Sequence, residues 1–257
     1  MPSTSNQNRF EQQDAEEIRP HPVLASYHQN EEERKQGVQE YFDRSARHYD
    51  WINQIMSFGS GHWYRRQALR RTGLKPGDRY LDVACGTGVL THHGSRFAGT
   101  QGLALGLDPS QGMLRQASQK GLPHLLQGRA EFLPFADDSF SVLTMGYALR
   151  HVTDLRRTFA EYRRVLSPNG RILILEITPP KSKLGFVALK VYLRFWVPMV
   201  ARLGGGRDAQ TLMKYYWDTI EHCVNPETIQ NALREAGFRS VGRRRTLGVF
   251  SEYLAVK

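Results

Sequence analysis

The sequence predicts an α/β fold, Rossmann-like and doubly wound, with a mostly parallel sheet, a helical N-terminal cap and a lid insertion. Three observations support this prediction. Short apolar runs alternate with amphipathic stretches between residues 79 and 177, which is typical of βαβ units. The first apolar run leads into a glycine pair, Gly86 and Gly88, ahead of a helical pattern. A long, unusually apolar segment, 181–222, then interrupts the alternation as the predicted lid.

The elements follow in order along the chain. A helix is predicted to start near Glu33 and to run through 38–50, a second helix is predicted over 61–73, and the sequence Lys-Pro-Gly-Asp at 75–78 is expected to form a turn. The alternating part comprises strands over 79–84, 103–108, 125–130, 139–146 and 170–177, and helices over 89–98, 111–121 and 154–166. The last two segments, 239–247 and 248–257, are predicted to pair as terminal strands.

Charge is unevenly distributed. Residues 1–40 contain four Lys/Arg and eight Asp/Glu, a balance of −4, whereas residues 41–257 have a balance of +14. Residues 1–36 are polar and almost without apolar periodicity, so we expect a disordered tail. A single domain is expected over 37–257, with its cap over 37–75. The basic domain is expected to be attracted to anionic surfaces, of which nucleic acid and anionic lipid are the candidates.

Composition also predicts the compartment. Two cysteines, Cys85 and Cys223, are too few for a disulfide scaffold or an all-cysteine metal site, so a reducing cytoplasm is expected. The first 17 residues have no apolar core and are acidic rather than Arg-rich, which predicts neither a secretory signal nor a mitochondrial presequence. No charge-free apolar stretch reaches about 18 residues, so no spanning helix is expected.

The glycine pair raises the question of which ligand lies against it. A loop for a nucleoside triphosphate ends in Gly-Lys-Ser/Thr, which does not follow Gly88, and a dinucleotide loop has a third glycine where this chain has Thr91. Asp82 precedes the turn, and its carboxylate would repel a pyrophosphate but attract a cation. Asp108 ends the next strand, where a carboxylate accepts hydrogen bonds from ribose hydroxyls. These residues predict a nucleoside with a cationic tail, S-adenosylmethionine.

Loops after the third and fourth strands extend this predicted site. Arg129 and Ala130 are expected to border the adenine, and Gly146 ends the fourth strand. The alternative is a doubly wound fold with ordinary tight turns and a chance aspartate. Agreement of three loops at one sheet edge favours the cofactor. The predicted cofactor contacts are Asp82, Gly86, Gly88, Thr91, Asp108, Arg129, Ala130 and Gly146.

Four segments carry a family resemblance: 41–66, 81–91 ("LDVACGTGVLT"), 128–154 and 161–180. They resemble the class I S-adenosylmethionine-dependent methyltransferases and, more narrowly, the quinone C-methyltransferases of ubiquinone and menaquinone synthesis (UbiE/MenG type). The resemblance implies methyl transfer to a ring carbon of a prenylated benzoquinol or naphthoquinol.

The chain departs from that family in two places. It has Leu-Arg-His-Val at 149–152 where the family has Leu-Arg-Asn-Val, and its ending "LGVFSEYLAVK" lacks the family's Gly-Val-Val followed by His and Gly. The resemblance assigns both places to the substrate side. C- or O-methylation of a phenolic or polyketide metabolite therefore stays open.

Methyl transfer from a sulfonium is an in-line displacement that needs a well-placed, electron-rich acceptor and no metal. A quinol becomes nucleophilic at carbon once a hydroxyl loses its proton, so a base and a cation are expected beside it. We expect Arg150 to stabilise the phenolate, His151 to accept the proton because its ordinary pKa lies near neutral pH, and Tyr49 to reach over from the cap. A helix-capping or solvent histidine is the alternative for His151.

The apolar part of the lid also carries cations. Lys183, Lys190 and Arg194 recur at helical spacing, and Pro198 is expected to kink or end the helix. A basic amphipathic helix is typical of interfacial segments, so we expect peripheral membrane contact through 184–203, on the cytoplasmic face. Packing on the domain, or on the partner of a homodimer, is the alternative.

The glycines at 204–206 are expected to form the hinge of this lid. No RNA-binding module accompanies the basic charge, so no nucleic-acid partner is expected.

Overall fold

Residues 17–257 of the chain are described by the computed structural model. The strands are β1 (Arg79–Val83), β2 (Leu103–Asp108), β3 (Leu125–Gln127), β4 (Phe140–Gly146), β5 (Leu166–Ile177), β6 (Arg239–Thr246) and β7 (Phe250–Val256). The helices are α1 (Glu31–Met56), α2 (Gly61–Arg70), α3 (Val89–Ala98), α4 (Gln111–Gln119), α5 (Leu155–Val165), α6 (Lys183–Val191), α7 (Val197–Glu221) and α8 (Pro226–Glu235).

All seven strands form one sheet in the order β3-β2-β1-β4-β5-β7-β6. The first five strands are parallel, whereas β7 runs antiparallel to both of its neighbours. This confirms the predicted doubly wound fold and the terminal strand pair. Because the order reverses between β1 and β4, the carboxyl ends of these strands flank the crevice in which such sheets bind ligands.

Burial explains why the central strands are nearly continuous apolar runs. Leu81, Leu143 and Ile172–Leu175 are fully buried, since helices cover both faces of the sheet. Capping side chains start the flanking helices: Ser110 accepts from the N–H of Met113, and Asp154 accepts from the first turn of α5. Helix α8, which the sequence analysis did not predict, begins in the same way at Asn225.

The segment before α1 lies against the domain. The N–H of Ile18 donates to Asp154 at 3.1 Å, and the carbonyl of Pro20 accepts from Val224 at 2.7 Å. His21 and His28 are buried. The predicted disordered tail over 1–36 is therefore wrong for residues 17–36, and residues 1–16 lie outside the described part. The segment is held by backbone hydrogen bonds and buried histidines rather than by a periodic apolar face. The hydrophobic pattern of the sequence therefore does not indicate that it is ordered.

The predicted lid forms a helical run in which α6 continues through a π-helical turn (Tyr192–Trp196) into α7. Pro198 does not end the helix. It has no N–H to donate, and the wider turn just before it accommodates the break in hydrogen bonding. Gly206 interrupts α7 with a φ of +72°, which places the kink within the predicted hinge.

This run changes the expectation about spanning helices. By length and composition alone, Lys183–Glu221 is long and apolar enough to cross a membrane. A core helix of a soluble protein can meet the same criteria, and the second half of α7 buries Leu212, Met213 and Trp217 in a cluster with Ile52 of α1. The length arises because the π-helical turn joins two helices that the sequence pattern separates at Pro198.

Candidate active site

The two glycines of the loop after β1 have different surroundings. Both have positive φ, +55° at Gly86 and +81° at Gly88, so both turns favour glycine. A Cβ at Gly86 would meet nothing within 4 Å, because Gly86 faces an open cleft. A Cβ at Gly88 would lie 2.2 Å from Leu122 Cδ1. Gly86 therefore leaves room for a ligand, whereas Gly88 allows close packing and does not line the cleft.

Asp108 lies at the carboxyl end of β2 on the wall of this glycine-loop cleft. Its Oδ2 accepts from the N–H of Gly86 at 2.7 Å, and its Oδ1 accepts from the N–H of Ser110 at 2.8 Å. Burial raises the pKa of Asp108 to about 6, and the two backbone donors act in the opposite direction. The carboxylate thus aligns the loops after β1 and β2, and as a cleft residue it can also accept from ligand hydroxyls.

Asp82 and Thr91 lie beneath the loop rather than in the cleft, which corrects their prediction as direct cofactor contacts. Asp82 is buried and accepts from the hydroxyls of Thr91 and Thr144, each at 2.7 Å. Burial raises the pKa of Asp82 to about 6, and these two hydroxyls lower it. Because the Thr91 bond joins the end of β1 to α3, the carboxylate supports the shape of the glycine loop.

The other predicted cofactor residues do line the glycine-loop cleft. Arg129, Ala130 and Gly146 lie on its walls together with Gly86 and Asp108. Helix α1 covers the cleft as the predicted cap, but its lining residues other than Tyr49 were not predicted, because only the fold shows which side chains of α1 face the sheet edge. Of the predicted cap residues Tyr49 lies there, and α1 also contributes Lys35, Val38, Gln39 and Phe42.

Two carboxylates hold α1 over the cleft. Asp43 accepts from the hydroxyl of Ser110 at 2.6 Å and from the N–H of Gly112 at 2.7 Å. Asp43 is the third residue of the "YFDRSARHYD" stretch, and the stretch ends at the second carboxylate, Asp50, which accepts from Thr87 and Lys120. The cap is therefore bonded to both ligand-facing loops.

His151 lines the cleft, but in a state that corrects the reason for choosing it as a base. Neither ring nitrogen has a hydrogen-bond partner among residues 17–257, and the ring stacks on Tyr215 at 5.8 Å between centroids. Burial, followed by the charge of Arg150, lowers the pKa of His151 well below its ordinary value. The imidazole is neutral at physiological pH and a weak proton acceptor. It neither caps a helix nor lies in solvent.

Arg150 does not reach the cleft, which corrects its predicted contact with the substrate. Its side chain is fully buried and forms an ion pair with Glu176 of β5. It also donates to Thr219 at 3.2 Å, and its guanidinium lies 4.5 Å from the centroid of the Tyr216 ring. Its charge is therefore used inside the protein, where it ties the loop after β4 to β5 and α7.

A second cavity, the apolar cavity, adjoins the cleft. It lies among the ends of α1 and α2, the π-helical turn and the β6–β7 turn, and its lining includes Met56, Phe58, Trp63, Tyr64, Arg65, Ile177, Leu189, Tyr192, Leu193, Tyr216, Leu247 and Phe250. Tyr147 lines both the cavity and the cleft. Its φ of +62° is uncommon for a residue other than glycine and marks a position held by its surroundings.

Neither Tyr147 nor Arg65 was predicted from the sequence as a site residue. The guanidinium carbon of Arg65 lies 4.8 Å from the centroid of the Tyr147 ring. Both residues fall inside the segments that carry the family resemblance, 41–66 and 128–154, which was the available signal. Across residues 17–257, no group of three or more His, Cys, Asp or Glu side chains is placed to hold a metal ion.

Comparison with known proteins identifies the relatives of this arrangement. A family described as the ubiE/COQ5 methyltransferase family matches residues 28–257. A demethylmenaquinone methyltransferase of Symbiobacterium thermophilum is 36% identical over 217 residues, covering 80% of this chain and 86% of the relative. A 2-phytyl-1,4-naphtoquinone methyltransferase of Synechocystis sp. is 39% identical over 211 residues, covering 79% and 87%.

Solved structures share the fold at lower identity. A SAM-dependent methyltransferase from Thermotoga maritima aligns with a TM-score of 0.60 at 21% identity, covering 85% of this chain and 99% of that chain. A phosphoethanolamine N-methyltransferase from Haemonchus contortus, solved with S-adenosyl-L-methionine, aligns with a TM-score of 0.60 at 18% identity, covering 84% and 57%. At these identities the similarity concerns the fold alone.

Proposed function

Since the chain belongs to the ubiE/COQ5 methyltransferase family, we propose that it transfers a methyl group to a ring carbon of a prenylated benzoquinol or naphthoquinol in ubiquinone or menaquinone biosynthesis. Its class is that of S-adenosylmethionine-dependent methyltransferases. The observation that carries the choice of acceptor is the apolar cavity, which shares Tyr147 with the glycine-loop cleft. An apolar ring with a lipid tail fits a cavity of this chemistry.

The residues of the glycine-loop cleft fit S-adenosylmethionine. Asp108 offers a carboxylate to ribose hydroxyls, and Ala130 and Met113 offer apolar surface to a purine. Gly86 leaves the space that a Cβ would occupy. These residues would hold the cofactor at the ends of β1, β2 and β4, beneath α1.

The chain's own residues mainly position the reactants. When bound, S-adenosylmethionine supplies an electrophilic methyl carbon, and the pair of the broken C–S bond stays on sulfur. Helix α1, held by Asp43 and Asp50, keeps water from the cleft. Tyr147 separates the two chambers and sets how closely an acceptor ring approaches the cleft. Tyr49 borders the same cleft, and burial raises its pKa to about 12, so it stays protonated as a hydrogen-bond donor.

An assay with defined acceptors tests this function. The purified chain is incubated with S-adenosylmethionine carrying a labelled methyl group and with three acceptors: a chemically reduced demethylmenaquinone, a demethylated ubiquinone precursor and a soluble phenol without a tail. We expect label on a ring carbon of one of the two prenylated quinols. Failure to methylate either quinol, under conditions in which the cofactor binds, would exclude the proposal.

The runner-up function is C- or O-methylation of a soluble phenolic or polyketide metabolite. One observation favours it: the β6–β7 turn, where the sequence departs from the family, contributes Leu247, Val249 and Phe250 to the apolar cavity. Because these residues line the cavity, a different sequence at this turn can change which acceptor ring the cavity binds. Label on the soluble phenol alone would promote this function, and mass spectrometry distinguishes methyl on oxygen from methyl on carbon.

We further propose that the protein contacts the cytoplasmic face of a membrane through α6 and the start of α7. Six large apolar side chains form an exposed stripe, the apolar face: Leu184, Val187, Val191, Phe195, Met199 and Leu203. Exposed Phe58, Trp63 and Leu247 also line the apolar cavity, so its mouth lies in apolar surface. Contiguous exposed apolar surface of this kind is typical of interaction sites.

The cations of this surface differ from those predicted. Lys190 pairs with Glu221 at 2.6 Å and Arg194 with Asp218 at 3.2 Å, so both face α7. Exposed cations instead lie at the two ends of the apolar face, at Lys181, Lys183 and Arg202. Their charge favours anionic lipid as the occupant, and a second copy of this chain, equally basic, is disfavoured.

Vesicle sedimentation tests the membrane contact. Wild-type protein is expected to sediment with vesicles containing phosphatidylglycerol at low salt and to be released by high salt. Phe195→Asp is expected to lower the bound fraction, whereas Leu126→Asp, an exposed apolar position on β3 at the other end of the sheet, serves as the control. Absence of sedimentation at low salt would contradict the proposal, and a dimer in solution that Phe195→Asp disrupts would make the apolar face a dimer interface instead.

A further inference from the structure

One charged side chain lines the apolar cavity. Among the residues that line it within the described chain, Arg65 is the single Lys, Arg, His, Asp or Glu. Its Nη1 donates to the carbonyl of Gly61 at 3.2 Å, and no carboxylate of residues 17–257 lies within ion-pair distance of it. A half-buried guanidinium without an anionic partner is costly in apolar surroundings, so the position is suited to a negatively charged ligand group.

Arg65 also lies at the boundary between the two chambers. Its guanidinium packs over the ring of Tyr147, the residue that both chambers share. A ring placed in the cavity against Tyr147 is therefore beside Arg65 and next to the cleft that holds the methyl donor. Arg150, the cation that the sequence predicted for this task, is neutralised by Glu176 and lines neither chamber.

The phenols around Arg65 respond to its charge. Burial raises the pKa of Tyr147, and the charge of Arg65 is the largest influence that opposes it. Burial likewise raises the pKa of Tyr49 and Tyr216, and Arg65 again acts to lower both. The guanidinium charge thus favours the phenolate form at three positions around this boundary. It would lower the pKa of a quinol hydroxyl bound there in the same way.

We propose that Arg65 is the catalytic cation that binds the deprotonated hydroxyl of the acceptor ring, with the ring seated in the apolar cavity against Tyr147. This inference rests on the proposed function. The hydroxyl proton leaves to solvent through the cavity mouth. The phenolate pair moves through the ring to form the new C–C bond while the C–S bond breaks and its electrons stay on sulfur. The ring C–H proton then leaves, the ring becomes aromatic again, and the oxygen regains a proton, so one proton is released overall.

Kinetics of Arg65→Gln test the role, with Arg66→Gln as the matched control, because Arg66 is the neighbouring exposed arginine and loses the same charge. Removing one preorganised donor to a developing anion typically lowers kcat by about 100-fold or more. We expect that loss in Arg65→Gln, partial recovery in Arg65→Lys, and unchanged affinity for S-adenosylhomocysteine, because Arg65 does not line the glycine-loop cleft.

The pH profile separates this role from a structural one. Without the cation the acceptor's pKa rises, so the acidic limb of kcat in Arg65→Gln moves to higher pH by about one unit, equivalent to a tenfold change in ionisation. The loss of rate is also expected to shrink for a quinol that carries an electron-withdrawing chlorine and ionises more readily. The inference would be overturned if Arg65→Gln left the acidic limb of the kcat–pH profile unchanged and lowered the rate equally for both quinols. In that case, methylation of a quinol by the wild-type protein would still support the proposed function.

A measurement on the unmodified protein covers the case in which the variants fail to fold. 2-Octyl-4-nitrophenol absorbs visible light as its anion and is titrated in the presence of wild-type protein and S-adenosylhomocysteine. Its pKa is expected to be lower when bound than when free. A bound pKa equal to or above the free value would overturn the inference, because a neutral apolar cavity raises the pKa of a phenol.

Discussion

The glycine-loop cleft and the apolar cavity differ in how the chain builds them. The cleft is formed by consecutive strand ends, with Gly86 after β1, Asp108 at the end of β2 and Gly146 at the end of β4. The cavity combines parts that are far apart in sequence, from Met56 at the end of α1 to Phe250 at the start of β7. Local motifs therefore reveal the first chamber, whereas only long-range packing creates the second. The two arginines, Arg150 and Arg65, illustrate the same difference.

Arg150→Met is expected to have the largest effect. Removing one partner of a buried ion pair leaves Glu176 uncompensated, which lowers the free energy of unfolding by about 3–5 kcal/mol. Urea denaturation measures it. Arg65→Gln, which breaks no ion pair, is expected to lose less than about 1 kcal/mol. If Arg150→Met were as stable as wild type but inactive, Arg150 would belong to the chemistry, and the contrast between the two arginines would fail.

The double variant Arg150→Met/Glu176→Leu sharpens this test. It removes both charges from the interior, so its loss of stability is expected to be smaller than the sum of the two single losses. If the loss of stability in the double variant equalled the sum of the two single losses, the two side chains would contribute independently of their pairing.

Asp108→Ala is expected to raise the dissociation constant of S-adenosylhomocysteine by about 100-fold. The variant loses a charged hydrogen-bond acceptor in the cleft and the alignment of Gly86 and Ser110, and hydrogen bonds to charged groups contribute about 1.5–3 kcal/mol each. Isothermal titration calorimetry measures it. Asp208→Asn, an exposed carboxylate on α7, is the control. Equal affinity in Asp108→Ala would remove Asp108 from the cofactor site.

The raised pKa of Asp108 adds a pH dependence to this binding. With a pKa of about 6, the carboxylate is ionised at pH 8 and protonated at pH 5. Affinity for S-adenosylhomocysteine is therefore expected to be constant above about pH 7 and to weaken by up to about tenfold per unit below pH 6. Asp82 also has a pKa of about 6, so the profile is repeated with Asp82→Asn, in which the dependence is expected to persist.

Gly86→Ala and Gly88→Ala are expected to separate ligand space from packing space. Both substitutions force a Cβ onto a left-handed backbone, which costs about 1–2 kcal/mol of stability. Gly88→Ala is expected to lose about 1–3 kcal/mol more, because its Cβ would overlap Leu122. Gly86→Ala is expected to lose cofactor affinity instead. Equal thermal stability of the two variants, measured without ligand, would contradict this division.

Most of the fold could be predicted from the sequence, because parallel strands that are buried on both faces must be nearly continuous apolar runs, and such runs are easy to recognise. The apolar runs became β1, β2, β4 and β5, and the terminal pair became β6 and β7. Helix α8 was missed although Asn225 and Pro226 are ordinary helix-start residues. Residues 17–30 were assigned to the tail because no pattern of side chains marks them as ordered. Backbone hydrogen bonds at Ile18 and Pro20 hold that stretch instead.

Within the site, sequence identified the residue types but not the directions of the side chains. Five of the eight predicted cofactor residues line the cleft, because strand ends of a parallel sheet meet at one edge. Asp82 at the end of β1, Gly88 in the glycine loop and Thr91 at the start of α3 face the interior and support the loop. Neighbours in sequence can thus lie on opposite sides of one turn.

By itself, the sequence determined the doubly wound sheet, the glycine loop and the carboxylate that ends β2, because each depends on local backbone geometry and on burial of adjacent residues. Only the tertiary structure decided which arginine is neutralised and which remains available. Glu176 lies 26 positions after Arg150 and reaches it because β4 and β5 pair in the sheet. Arg65 meets Tyr147 because α2 packs near the end of β4. The charge that a buried side chain offers to a ligand depends on partners that folding brings to it.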